Sequence, residues 1–191
     1  MLQESSPSLP HRIERALAGL QLGLGRDYIG EPVSQLEHAL QCAALARAAR
    51  APAHEVLAAL FHDIGHLIAP AGSAEMAGLG IVDHEGLGAA WLRALGFDPR
   101  VCALVGAHVE TKRYLTLRKA GYAERMSAAS RGTLAFQGGP MREDEAQRFE
   151  ADPLFAAKVR VRSWDEAAKQ PGKKVPELDS YIDLIREHLE Q

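Results

Sequence analysis

Residues 57–68 read LAALFHDIGHLI, an apolar helical run that the adjacent His62 and Asp63 interrupt. Pro52 precedes the run, and the pattern predicts a central helix from Pro52 to about Leu67. An unpaired carboxylate in a buried helix is costly, and a bound metal ion removes that cost. Because neighbouring side chains on a helix point about 100° apart, His62 and Asp63 cannot both reach one ion without strain, whereas Asp63 can bridge two ions. The stretch therefore predicts a two-metal site inside a helical protein.

Helical spacing recurs on both sides of this run, and no alternating pattern is long enough to support a sheet. The sequence predicts an all-α fold, a helical bundle in a single domain spanning residues 1–191. Further helices are expected to begin at Pro10, near Glu85 and at Leu178, and another is expected from the Ser34/Glu37 capping box to about Arg50. A helix is also expected to begin at Asp98-Pro99, with His108 facing inward. The stripe Leu154, Val161 and Asp165 indicates one more. The glycine-rich segments 23–33 and 72–82 predict loops, the second turned outward, and Gly132 and Gly138 are expected to break helical fragments in 116–140.

Composition excludes several classes of function. Hydrophobic residues make up 47% and charged residues 25% of the chain, as in ordinary soluble globular proteins. A net charge of -3 gives no electrostatic reason to bind nucleic acid or an anionic membrane. Neither a leader pattern nor an apolar run of about 18 residues is present, so a cytoplasmic location is expected. Cys42 and Cys102 lie in apolar helical patterns, which predicts buried free thiols without a functional role.

Five of the eight histidines and two aspartates fall where a bundle turns side chains inward. They are His38, His62, Asp63, His66, His84, His108 and Asp165. Without metal, so many buried polar groups would need other partners, so the set favours a metal site over separate core residues. Ligands of this kind, without thiolate, suit iron, manganese or zinc. His66 is open to three interpretations, as a third ligand, a neighbour of the ligands or a substrate contact. His11, His54 and His188 are expected on solvated faces, and Lys112 can equally be a cation near a helix C-terminus.

The order of these residues resembles the HD-domain superfamily of metal-dependent enzymes. More specific segments are DYIGEPVSQLEH (27–38), FHDIGH (61–66), VDHE (82–85), HVETKRYL (108–115), SRGTLAFQGGPM (130–141) and DPLFAAKVRVRSWDEAAK (152–169). Together they are similar to the HD-domain di-iron oxygenases that act on 2-amino-1-hydroxyethylphosphonate or its N-trimethylated analogue, which are related to inositol oxygenase. The resemblance covers residues 27–169.

The resemblance implies a role for each matching residue. One iron ion would be held by His38, His62, Asp63 and Asp165, and the other by His84 and His108, with Asp63 bridging the two. The pair would be mixed-valent, Fe(II)/Fe(III), with O₂ and a small hydroxylated amino-phosphonate as the partners. Lys112, Ser130, Thr133 and Gln137 match positions that bind the phosphonate, and the remaining catalytic positions match Tyr28, Glu31 and His66. Loop 23–33 is predicted to be a lid, on which Tyr28 can bind iron before substrate arrives and Glu31 turns toward the substrate amine.

The implied function is cleavage of the C–P bond of a 1-hydroxy-2-(amino or trimethylammonio)ethylphosphonate, giving glycine or glycine betaine and phosphate. Hydrolysis is a poor route because a phosphonate would have to expel a carbanion, which explains the need for oxygen. One alternative is an HD phosphohydrolase of phosphate esters or nucleotides. Another is a non-catalytic HD signalling module. The complete ligand set argues against the module, and Tyr28, Glu31 and Gln137 argue against the hydrolase.

Overall fold

The computed structural model describes residues 7–28 and 30–191, which form helices and two isolated β-bridges but no β-strand. The α-helices are α1 (Leu9–Gln21), α2 (Gln35–Ala48), α3 (Ala53–Phe61), α4 (Ile64–Ile68), α5 (His84–Ala94), α6 (Pro99–Gly106), α7 (His108–Arg118), α8 (Tyr122–Arg125), α9 (Ala128–Phe136), α10 (Glu143–Glu150), α11 (Phe155–Ala167) and α12 (Ile182–Leu189), the last preceded by a 3-10 turn at Leu178–Tyr181. None of these described helices is long and apolar enough to cross a membrane. The predicted all-α fold is confirmed.

Helix α2 starts as its capping box predicts. The backbone N–H of Glu37 donates to Ser34 Oγ over 3.2 Å, and the backbone N–H of Ser34 donates to Glu37 Oε2 over 2.7 Å. These two bonds satisfy donors that a helix N-terminus leaves free. They also set the start of the helix, so that His38, one turn later, is fully buried.

The prediction of a continuous helix from Pro52 to Leu67 is wrong, because the helix is interrupted at His62 and Asp63. Asp63 has φ −102° and ψ 9°, outside the helical range, and the N–H of His66 donates to the Asp63 carbonyl across the break. The break starts a new helix, α4, which packs against the start of α5. At Gly65 the two helices are so close that an added Cβ would lie 1.8 Å from the carbonyl oxygen of His84.

The buried core lies between α2, α3, α6 and α11, with α1 and α12 packed on its outside. Its members include Leu57, Leu60, Phe61 and Val105, each no more than 1% exposed. His188 belongs to this packing, contrary to the prediction that it is solvated. Its ring is buried, and its Nε2 atom accepts the backbone N–H of Asp98 over 3.0 Å.

Two glycine predictions on the cavity side of the bundle also need correction. Gly132 lies inside α9 rather than at a break, whereas Gly138 follows the helix with φ +90°, as expected. A Cβ at Gly132 would lie 2.7 Å from Leu79 Cδ1 of the 72–82 segment. That segment therefore packs onto α9 instead of turning outward, and Met76 and Leu79 line the main cavity.

Candidate metal centre and substrate cavity

The first of two groups of ligand atoms joins α2, the end of α3 and α11. Nε2 of His38 lies 3.0 Å from Nε2 of His62 and 3.3 Å from Oδ1 of Asp165. Oδ2 of Asp63 completes the group, 3.1 Å from Nε2 of His62 and 3.7 Å from Nε2 of His38. The break after α3 places Asp63 next to its neighbour His62 at the same centre, which a continuous helix would not allow.

The second group lies at the starts of α5 and α7. Nε2 of His84 and Nε2 of His108 are 2.8 Å apart, and Oδ1 of Asp63 lies 3.5 Å from the first and 3.3 Å from the second. The two oxygens of Asp63 therefore face different groups, Oδ2 the first and Oδ1 the second. This is the arrangement expected of a carboxylate that bridges two ions.

All four histidines turn the Nδ1 side of the ring toward a backbone carbonyl. The pairs are His38 with Ala168 (2.9 Å), His62 with Ala59 (2.9 Å), His84 with Ile81 (3.1 Å) and His108 with Val105 (2.9 Å). Because a carbonyl only accepts, Nδ1 carries the proton and the Nε2 lone pair points into the centre. The facing Nε2 atoms lie 3.0 Å apart in the first group and 2.8 Å apart in the second, and they repel each other unless a proton or a metal ion lies between them, so the donor set fits metal ions.

Charge also favours the anionic form of both carboxylates. Burial would raise the pKa of Asp63, but the surrounding histidines, His62 first, outweigh burial and hold it well below its usual range. Burial would also raise the pKa of Asp165, but Arg162, with His38 and His62, outweighs burial and holds that pKa well below its usual range. Arg162 Nη1 donates to Asp165 Oδ2 over 2.6 Å, which leaves Oδ1 facing His38.

Arg162 was not among the residues predicted from the sequence. It lies one turn before Asp165 on α11 and is buried, and its Nε atom donates to Glu166 Oε1 over 3.0 Å and to Tyr122 Oη over 3.1 Å. The i, i+3 spacing to Asp165 was the available signal. Arg162 therefore links a ligand to a polar network on α8 and α11.

An open cavity of about 580 Å³ lies beside the two groups. The predicted residues that line it are Tyr28, Glu31, Asp63, His66, His84, His108, Lys112, Ser130, Thr133, Gln137 and Asp165. His38 and His62 lie behind this wall and are fully buried. The structure thus brings the predicted substrate residues to the same cavity as the ligands.

Lys112 is a buried cation in this cavity. Its Nζ donates to Thr133 Oγ1 over 2.8 Å and to the Ser130 carbonyl over 3.4 Å, and burial lowers the pKa of Lys112 to about 7. The Gln137 side-chain oxygen is buried and has no hydrogen-bond partner among the described residues. The Lys112 ammonium on α7 and the Thr133 hydroxyl on α9 suit the oxygens of an anion, as does the NH₂ group of Gln137, just after α9, once the amide turns it toward the cavity.

His66 belongs to neither ligand group and instead forms a wall of the cavity. Its ring stacks on His84 with centroids 3.7 Å apart, and its Nδ1 accepts the backbone N–H of Ile81 over 3.1 Å. Burial and the neighbouring His84 lower the pKa of His66 to about 3. The ring is therefore neutral with its proton on Nε2, which fits a ligand neighbour or a substrate contact better than a third ligand.

The described part of the predicted lid carries Tyr28 and Glu31, while Ile29 lies outside the described residues. The Tyr28 ring stacks on His38 with centroids 4.1 Å apart, and burial, with Asp63 next, raises the pKa of its hydroxyl. Glu31 accepts a hydrogen bond from Lys169 Nζ over 2.8 Å. Lys169 follows Asp165 by four residues, just past the end of α11, and was not among the residues predicted from the sequence.

The buried free thiols are confirmed for Cys42 and Cys102. Cys42 lies one turn after His38, and its Sγ atom is 3.8 Å from Nε2 of that ligand. Sequence interpretation assigned it no role and missed this position. Together with His38 and His62 it forms a cluster of potential ligand atoms.

Comparison with known proteins agrees with this geometry. The HD domain family matches residues 36–147. An uncharacterized protein of Acanthamoeba polyphaga mimivirus is 39% identical over 87% of this chain and 77% of its own length. A hydroxymethylphosphonate dioxygenase of Gimesia maris is 38% identical over 87% of this chain and 83% of its own length. A glycine-betaine-forming [1-hydroxy-2-(trimethylamino)ethyl]phosphonate dioxygenase of Leisingera caerulea is 36% identical over 84% of this chain and 81% of its own length. The chain therefore belongs to the HD-domain family, as one of its oxygenase enzymes.

Proposed function

We propose that this chain is a di-iron dioxygenase that cleaves the C–P bond of a small 1-hydroxyalkylphosphonate and releases phosphate. The observation that carries the proposal is Asp63, with one oxygen toward each pair of imidazoles, beside a cavity that contains the buried cation Lys112. The names of two relatives as phosphonate dioxygenases support it. The candidate substrates are the 2-amino and 2-trimethylammonio compounds, which would yield glycine or glycine betaine, and hydroxymethylphosphonate.

The metal assignment rests on the donor atoms. One ion would be held by His38, His62, Asp63 and Asp165, and the other by His84, His108 and the second oxygen of Asp63. Such donors also suit manganese or zinc, so the choice of iron rests on the reaction class, because O₂ chemistry needs a redox-active metal. A mixed-valent Fe(II)/Fe(III) pair supplies O₂ binding and the oxidation of the substrate carbon when it is bound.

The phosphonate would lie against α7 and α9. Lys112 offers its ammonium there, and a nearby dianion keeps that group charged by raising its pKa. Thr133 adds a hydroxyl, and the Gln137 amide can turn its NH₂ group toward a phosphonate oxygen because its own oxygen has no partner among the described residues. These residues bind and orient the anion.

On the other side of the cavity, His66 can donate from Nε2 to the substrate hydroxyl or to a phosphonate oxygen. Its proton is held on that atom because Nδ1 already accepts from the backbone. We propose that loop 23–33 acts as a lid beside the first ligand group and that Tyr28 leaves the metal centre when substrate arrives. The supporting observation is the Tyr28 ring packed directly on the ligand His38.

The reaction consumes one O₂ for each substrate. The C–P bond and one C–H bond of the hydroxyl-bearing carbon break, and the products are a carboxylic acid and phosphate. Both atoms of O₂ are needed to balance the products, so no external reductant is consumed in turnover. This balance separates the proposal from an HD phosphohydrolase, which needs water alone.

The experiment follows from that balance. Iron-loaded protein is given each of the three candidate substrates, with O₂ consumption and phosphate release measured together. Equal amounts of O₂ consumed and phosphate released are expected, and only in air. 2-Aminoethylphosphonate, which lacks the 1-hydroxyl, and metal-free protein serve as controls. Phosphate release at the same rate without O₂ would identify a hydrolase instead.

A further inference from the structure

An ion pair within the cavity wall joins the predicted lid to the end of α11. Lys169 Nζ donates to Glu31 Oε1 over 2.8 Å, and the side chains are only 16% and 10% exposed. The same ammonium lies 5.4 Å from the centre of the Tyr28 ring. A carboxylate and an aromatic face are the groups that recognise an ammonium ion, and here a lysine of the chain occupies them.

Glu31 is the carboxylate of the cavity that a substrate cation can reach. Among the described residues, the cavity is lined by three carboxylates, those of Glu31, Asp63 and Asp165. Asp63 and Asp165 face the imidazole groups, and Asp165 is also paired with Arg162. Glu31 makes no such contact with the ligand groups. Its partner is Lys169.

We propose that Lys169 takes the place of a substrate nitrogen on Glu31, so that this chain favours a 1-hydroxyalkylphosphonate without a charged nitrogen, as in hydroxymethylphosphonate. This inference rests on the proposed function and names its substrate class. A substrate ammonium can bind Glu31 only by displacing Lys169. The substrate ammonium and the Lys169 ammonium then lie close together in the partly buried cavity wall. A substrate without the nitrogen leaves the ion pair intact.

The direct test is Lys169→Met, which keeps much of the length of the side chain and removes its charge. The values of kcat/KM for hydroxymethylphosphonate and for 2-amino-1-hydroxyethylphosphonate are measured with the iron-loaded full chain. Anaerobic affinities for both compounds are measured by calorimetry. The unaltered protein is expected to favour hydroxymethylphosphonate, and Lys169→Met is expected to shift the ratio toward the amine by about tenfold or more. Lys169→Gln provides a second uncharged variant if the first folds poorly.

Two further variants make the test specific. Lys119→Met removes an exposed lysine from a neighbouring pocket and is expected to leave the ratio unchanged. With Glu31→Gln already present, Lys169→Met is expected to lose most of its effect, because no carboxylate is left for the substrate ammonium to bind. A general effect of net charge would appear in Lys119→Met and would persist in the double variant.

Each outcome has a distinct meaning. Unchanged ratios of kcat/KM and of affinity in both Lys169 variants would overturn the inference, as would a tenfold preference of the unaltered protein for the amine. If affinities shift as expected but no phosphonate is turned over, the inference holds and the proposed function fails. If none of the phosphonates binds or reacts, both are wrong.

Discussion

Gly65→Ala should remove one metal ion and retain the other. The added Cβ would lie 1.8 Å from the carbonyl oxygen and 2.6 Å from the carbonyl carbon of His84, whereas real Cβ contacts are almost never below 3.0 Å. The start of α5 must therefore move by more than 1 Å, because both contacts are with backbone. Metal–ligand distances tolerate only about 0.2 Å. His84 then leaves the second group, while His38, His62 and Asp165 keep their positions.

Elemental analysis of the purified variant is expected to give about one iron per chain instead of two. Overpacking of this kind costs about 1–3 kcal/mol, and a chain of this size loses about 2–4 °C of Tm for each kcal/mol. The metal-free variant should therefore melt at a lower temperature by several degrees. Gly106→Ala is the matched control, because its Cβ would make an ordinary 3.4 Å contact with Ala89. Two irons and an unchanged Tm in Gly65→Ala would refute the packing argument.

Further variants test four individual residues. Asp63→Ala should lose the bridge and at least one iron, and full retention of both ions in an elemental analysis would exclude bridging. Arg162→Gln should weaken iron binding by about 10–100-fold in a chelator competition, because it frees Oδ2 of Asp165, and Arg162→Lys should restore part of the loss. Lys112 is charged below about pH 7 in the free protein, so the advantage of the unaltered protein over Lys112→Met in phosphonate affinity should fall as the pH rises through 7. Tyr28→Phe should keep both irons but lose any tyrosinate-to-iron absorption and oxidise reductant faster without substrate; an unchanged spectrum and rate would remove the main support for the lid.

The residues that form the two groups could be singled out as candidate ligands because each interrupts an apolar helical pattern. His38 and His108 fall on helix faces that the apolar pattern turns inward. The helical spacing of the apolar residues is enough to predict that both are buried, as they are in the structure. For His62 and Asp63, the hypothesis that Asp63 bridges two ions came from the angle of about 100° between adjacent side chains on a helix. That argument assumed a continuous helix, whereas the pair lies at a helix break, and the structure places one Asp63 oxygen beside each group.

The break itself could not be predicted, because residues 57–68 contain no proline and, apart from His62, Asp63 and His66, follow an apolar helical pattern. In the structure Gly65, just after the break, lies against the backbone of α5, a tertiary contact that the local pattern does not show. His188 was misjudged for a similar reason, since its partner is the start of α6, far along the chain. Lys169 lies just past the end of α11, and a lysine there has no apolar pattern that would mark it as partly buried.

The carbonyl partners of the histidine rings also bear on the order in which the centre is assembled during synthesis. His62, His84 and His108 each bond to the carbonyl three residues earlier, whereas His38 depends on Ala168, 130 residues away. The second group is complete once residues 63–108 have folded. The first group is complete only after α11 has folded, because Asp165 lies on that helix and Ala168 follows it. On the proposed metal assignment, we expect a chain still emerging from the ribosome to take up one ion before the other site exists, and fraying of α11 to open one site alone. Iron per chain, followed against denaturant, should then fall in two steps.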